Sequence, residues 1–170
     1  VVLGEEAFAG NGCGGCHGAG GGGGVGPAFT GGAIYETFPT FEQHFQWVRL
    51  GSAGWQEEVG DTYGANETPV GGGMPGFGED SVSDADLVYI LLHERMGLGG
   101  ENPSEDDAAR LEMAAEIFFE NPDMTLAEVL EEVDAELPPG ETSGGLIKGQ
   151  GEPQTQQDAG SAVEDDPVIG

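Results

Sequence analysis

The stretch Cys13-Gly14-Gly15-Cys16-His17 limits this chain more than any other feature in it. It holds the only two cysteines among 170 residues. A single pair this close is too little for a disulfide framework. Two thiols one helical turn apart can reach the two vinyl groups on one edge of a haem macrocycle, and the next residue then projects its imidazole under the iron. The spacing is therefore that of c-type haem attachment. Cysteine supplies a permanent tether, and neutral histidine supplies an axial ligand of suitable field strength. The competing reading is a thiol redox pair, which wants its C-x-x-C at the start of a helix that follows a strand. No strand pattern precedes Cys13 and glycines follow His17, which favours the haem.

A low-spin electron carrier needs a second axial ligand, and Met74 is the best candidate. It lies in Gly71-Gly72-Gly73-Met74-Pro75-Gly76-Phe77, where proline fixes the backbone and glycines allow close approach to a flat ring. A lone methionine is more often core filler, but no apolar helix surrounds this one. His44, His93 and Met96 are rivals, and an open sixth position is a further alternative. His44 sits in an aromatic-flanked helix pattern, where a packed histidine is the plain reading. His93 and Met96 lie on the helix that ends near Gly97.

Composition divides the chain into three zones. Residues 1–100 hold both cysteines, all three histidines, both tryptophans and only 13 of the 32 acids. Residues 101–140 are an acidic helical extension, and residues 141–170 form a low-complexity tail without its own core. The helix patterns are Gly4–Gly12 with Phe8 on its apolar side, Thr40–Leu50 with Phe41, Phe45 and Val48 on one face, and a helix capped by Ser83 with Asp86. Ser104 precedes Glu105–Glu120, which Asn121-Pro122 ends. Thr125 and Glu128 form a capping box ahead of Leu126, Val129, Leu130 and Val133. No period-two strand pattern appears, so the expected class is all-α. The last two helices need something to pack on: each other, the first hundred residues, or a partner protein.

Taken together, residues 1–100 resemble a class I cytochrome c of the bacterial single-haem type. The parts stand in the family's order: Gly4–Gly12, Cys13–His17, Gly26-Pro27, Thr40–Leu50, Met74-Pro75 and Ser83–Met96. The resemblance implies the class I fold, one covalent haem c, and iron held by His17 and Met74. It also implies that the Pro27 carbonyl accepts a hydrogen bond from His17, which fixes the tautomer. In the family the terminal helices cross through a glycine and an aromatic against an aromatic, places that Phe8 and Tyr89 fit. The glycine run after His17 is longer than usual, and lysines that ring the haem edge in many mitochondrial-type members are absent. Trp55, Trp47, Tyr35 and Tyr63 are candidates for packing on the ring or donating to a propionate, with ordinary core packing as the even alternative. Arg49 is a candidate for balancing a propionate charge.

The function this implies is one-electron transfer between redox proteins, without catalysis, since no nucleophile or carboxylate pair suggests turnover. A formal net charge of −28 disfavours nucleic acid and anionic membrane surfaces as partners. It favours docking on a basic protein surface, such as that of a membrane oxidase, a quinol-oxidising complex or a reaction centre. The same acidity would suit a protein kept soluble in high salt. An alternative is a haem-bearing structural subunit of a larger redox complex or cytochrome filament. The longest apolar run, Leu87–Leu92, is far short of the roughly 20 residues a bilayer span needs. No secretory leader pattern opens the chain, so Val1 is expected to begin a processed protein whose signal or anchor is absent from it. Haem attachment to this motif implies an extracytoplasmic location.

Overall fold

A computed structural model describes residues 2–139. The tail expected at 141–170 lies outside the described residues. Helix α1, Val2–Gly10, runs into a single helical turn, α2, Cys13–His17. A short helix α3 follows at Ala33–Thr37, then the long α4, Phe41–Glu58. Thr40 caps α4 by accepting from the Gln43 N–H. Helix α5, Asp84–Leu92, starts where Ser83 Oγ accepts from the Asp86 N–H at 3.1 Å, as the sequence predicted. It continues as a wider, π-helical stretch, His93–Leu98.

Helices α1 and α5 cross where Gly4 meets the Tyr89 carbonyl; a Cβ there would also lie 2.9 Å from that of His93. The Phe8 ring packs on the His93 ring at 5.3 Å and on Phe29 at 6.4 Å. Tyr89 therefore contributes its backbone at the crossing, while the ring that meets Phe8 on this helix is that of His93.

One small ribbon departs from the strand-free expectation. Thr62–Tyr63 (β1) and Thr68–Pro69 (β2) pair antiparallel, Thr62 with Pro69 and Tyr63 with Thr68. Two residues a side cannot display a period, so the pattern left nothing to read. Among the described residues the regular structure is otherwise helical, which is the all-α class expected from the sequence.

The extension consists of α6, Glu105–Glu120, and α7, Leu126–Glu136. Their ends are set as the sequence predicts, by Ser104, by Asn121-Pro122 and by the reciprocal Thr125–Glu128 box. Both helices pack on the body of the protein. Leu111, Ala114 and Phe118 of α6 and Val129 and Val133 of α7 are fully buried in the same core as Phe41, Leu87 and Leu91. Polar ties cross the same junction. Asp107 Oδ1 accepts from the Phe41 N–H at 2.7 Å, filling one of the orphan donors at the start of α4. Its other oxygen pairs with Arg95 at 2.6 Å, and Arg95 also donates to the Phe38 carbonyl at 2.9 Å. Arg110 bridges Glu42 of α4 at 2.9 Å and Asp134 of α7 at 2.7 Å. Asp84 accepts from the Leu126 N–H at 2.6 Å and pairs with Arg49 of α4. The two pairs buried on both sides, Arg95–Asp107 and Arg110–Glu42, are costly to break, by about 3–5 kcal/mol when one member is removed.

Candidate functional site

The first wall of the site is built by α2 and the glycine run behind it. After His17 the chain folds back on itself, with the Gly23 N–H donating to the His17 carbonyl at 2.8 Å and the Gly26 N–H to that of Cys16 at 2.9 Å. Gly26 then lies against the imidazole, where a Cβ would stand 2.7 Å from Cε1. This close approach needs glycine, and it delivers Pro27. His17 Nδ1 is 2.8 Å from the Pro27 carbonyl oxygen. A carbonyl can only accept, so Nδ1 carries the proton and Nε2 keeps its lone pair for a metal. Phe29 stacks on the His17 ring, 4.5 Å from it and nearly parallel to it.

A second wall carries Met74, held to the middle of α4 by paired backbone contacts. At Gly51 the helix is interrupted by φ +63°, ψ −177°. This exposes the next backbone groups to the Met74 loop. The Ser52 N–H donates to the Met74 carbonyl at 2.9 Å, and the Met74 N–H donates to Ser52 Oγ at 3.2 Å. The Phe77 N–H donates to the Val48 carbonyl at 3.1 Å. Arg49 locks the far side of the loop by donating to the carbonyls of Phe77 at 2.6 Å and Val82 at 2.7 Å. Cys13, Cys16, His17, Pro27 and Met74 all line one cavity of 450 Å³. That volume lies within the range of about 300–1,000 Å³ usual for preformed cofactor sites.

The family model for cytochrome c matches residues 1–91, more than half of the chain. The chain belongs to the cytochrome c family. No curated protein and no solved structure matched it.

A cytochrome c carries covalent haem c, and the residues present fit that group. Cys13 and Cys16 are free thiols beside the cavity, and His17 offers Nε2 to it. Cys13 is poorly suited to disulfide exchange. Burial, with the nearby Glu94 carboxylate adding to it, pushes the Cys13 thiol up to about 11, whereas an exchanging cysteine needs a lowered value.

The other sequence candidates separate cleanly by position. Trp47 and Tyr63 line the cavity, stacked on each other at 4.1 Å. Trp55 is buried but not among the cavity-lining residues; its Nε1–H donates to the Thr62 carbonyl at 2.8 Å and its ring meets the edge of Trp47. Tyr35 is also off the cavity and donates its hydroxyl to the Arg95 and Gly100 carbonyls. The Arg49 guanidinium is engaged by Asp84 and the two loop carbonyls rather than by the cavity. His93 lies under Phe8, and neither it nor Met96 lines the cavity. His44 does line it. Its ring stacks on Phe38 at 5.0 Å, and its Nε2 stands 3.3 Å from Glu94 Oε2.

Sequence reasoning missed Gly51, Ser52, Phe29 and Glu94. A glycine inside a helical pattern was the available signal for Gly51. It stands just past the Thr40–Leu50 pattern. The Glu94–His44 contact joins residues far apart in sequence, and neither carries a local motif.

Proposed function

We propose that this cytochrome c is a single-haem electron carrier with His17 and Met74 as the two iron ligands. The observation that carries the proposal is that both side chains line the cavity that Cys13 and Cys16 border, each on a separately fixed backbone. Haem supplies the one-electron couple, and a histidine–methionine pair raises its potential and leaves no position for a substrate. The Pro27 carbonyl holds His17 in one tautomer and raises its basicity. Ser52 and Gly51 keep Met74 in reach. Trp47 and Tyr63 would line the haem's cavity, and Trp55 would act there indirectly by supporting Trp47.

For partners we propose redox proteins with basic docking surfaces, reached outside the cytoplasm. The acid distribution supports a division of labour. No Asp, Glu, Lys or Arg occurs between Glu6 and Glu36 or between Glu67 and Glu79, the two stretches that carry Cys13–His17 and Met74. These stretches offer uncharged residues for close contact, the cavity-lining Val25 among them at 93% exposed. The surrounding acids act at longer range, steering the encounter in a salt-dependent way. No helix among the described residues is long and apolar enough to cross a membrane. We further propose that residues 1–100 are the haem-bearing unit and that α6 and α7 brace it through Asp107 and Arg110.

Optical spectra of the holoprotein test the ligation. Sharp reduced bands, an iron–methionine charge-transfer band when oxidised, and indifference of the reduced protein to carbon monoxide are expected. Met74→Ala should lose that band and bind carbon monoxide. Carbon monoxide binding by the wild type would mean an open or weak sixth position and would replace electron carriage with sensing or catalysis.

A further inference from the structure

We propose that Glu94, buried in the cavity wall against His44, is a redox-linked proton site that takes up a proton from solvent when the protein is reduced and releases it on oxidation. The proposal rests on the haem reading of the cavity and adds a second cargo to it.

Glu94 is 3% exposed and lines the cavity. Its Oε2 lies 3.3 Å from His44 Nε2 but has no aligned hydrogen bond. A carboxylate so placed needs a cation, and each neighbouring one is already used or absent. Arg95, next in sequence, turns both terminal nitrogens elsewhere, to Asp107 at 2.6 Å and to the Phe38 and Pro39 carbonyls, and only its buried Nε is left without a hydrogen-bond partner. His44 is held neutral by burial, with Arg95 and His17 opposing its protonation. Tyr35, which faces this stretch from α3, has its proton held high by burial and donates to backbone carbonyls. Cys13 is uncharged, and as a thioether it would stay so. The pair is accordingly an acid beside an imidazole, both neutral, rather than an ion pair. Burial pushes the Glu94 carboxyl up to about 8, with Arg95 as a smaller opposing influence.

What remains to respond to is the charge of the iron in the same cavity. Charges inside a protein interact far more strongly than in water. The oxidised state has one more positive charge and favours the carboxylate; the reduced state favours the acid. On reduction, one electron arrives from the redox partner and one O–H bond forms at Glu94 with a proton drawn from water. On oxidation that bond breaks and the proton returns to solvent. A group already titrating near neutrality is poised for this, whereas an exposed glutamate would stay ionised throughout.

The test is the reduction potential of the holoprotein as a function of pH, for wild type and Glu94→Gln. The wild-type potential should fall as pH rises through the region around pH 8, with a slope approaching about 59 mV per tenfold change in proton activity. Glu94→Gln should flatten that region. A flat wild-type profile, or an unchanged slope in Glu94→Gln, would overturn the proposal. A second measurement needs no variant: infrared difference spectra between the two redox states, with glutamate carboxyls isotopically labelled. At pH 8 a protonated, label-sensitive carboxyl band should be present in the reduced protein and lost on oxidation. Its absence from both states would also overturn the proposal. Normal haem bands in either failed experiment would leave the electron-carrier reading intact, whereas missing haem bands would remove that reading itself.

Discussion

Substituting alanine at Gly51 should loosen the Met74 ligand while leaving haem attachment unchanged. Gly51 has φ +63° and ψ −177°, a region almost confined to glycine, and an L-residue there costs about 1–3 kcal/mol. The space is also closed. An added Cβ would lie 2.5 Å from the Pro75 carbonyl carbon and 2.7 Å from the Gly76 Cα. Both are backbone atoms and cannot swing aside, so the loop carrying Met74 must shift. If that shift relieves the strain by releasing the ligand, about 1–3 kcal/mol lowers the ratio of bound to free methionine about 5- to 150-fold. Carbon monoxide binding to the reduced protein and the iron–methionine band of the oxidised protein read the ratio directly. Gly54→Ala is the control. Its added Cβ meets only the Leu50 side chain, at 3.3 and 3.6 Å, and alanine is favoured over glycine within a helix by up to about 1 kcal/mol. A Gly51→Ala protein with a full-strength band and no carbon monoxide binding would refute the reasoning. Equal loss in Gly54→Ala would do the same.

Other consequences concern the brace and the buried pair. Asp107→Leu should destabilise the protein by about 3–5 kcal/mol, because it leaves Arg95 buried and unpaired. Denaturant unfolding followed by tryptophan fluorescence and by the haem spectrum should then shift together. Phe118→Ala, at a site 0% exposed, should cost about 3–5 kcal/mol; a loss confined to helical signal, with the haem spectrum unmoved, would show that α6 unfolds separately. For pH, Glu94 keeps its proton to about 8 in the folded chain against an ordinary value of 4.5. The folded state therefore binds more protons between those limits, and stability falls as pH rises through that window. His44 acts in the other direction, removing stability as pH drops below 6.5. Thermal unfolding of Glu94→Gln should lose the alkaline-side fall and keep the acid-side one. Finally, the association rate with a basic redox partner should drop steeply with ionic strength, which stopped-flow mixing would measure.

Local chemistry made much of this molecule legible from its residues. The Cys13–His17 spacing pointed to haem, and the caps at Ser83, Ser104 and Thr125 marked three helix starts, because each is a signal contained within a few residues. The Pro27 acceptor followed from the family resemblance and stands at hydrogen-bond distance. What could not be read was set by contacts distant in sequence. Helix α4 runs on to Glu58 because the Met74 loop completes its broken turn at Gly51, a partner that lies far along the chain from it. Helix α3 was missed because five residues give too short a period. Trp55 was a natural candidate for the ring as a large aromatic with a donor, but Thr62 takes its N–H and Trp47 and Tyr63 take the cavity. The two acidic helices gave their own boundaries but not their surroundings, since Asp107 and Arg110 reach across to α4 and the π-helical stretch.

The most direct test of the central claim is a proton spectrum of the reduced holoprotein with all four methionine methyls labelled. A methionine bound to haem iron has its methyl group over the ring face, where the ring current moves its resonance far upfield of ordinary methyls. The account predicts one such resonance, absent in Met74→Leu and retained in Met96→Leu. No upfield methyl, or one that survives Met74→Leu, would contradict the assignment of Met74 to the iron.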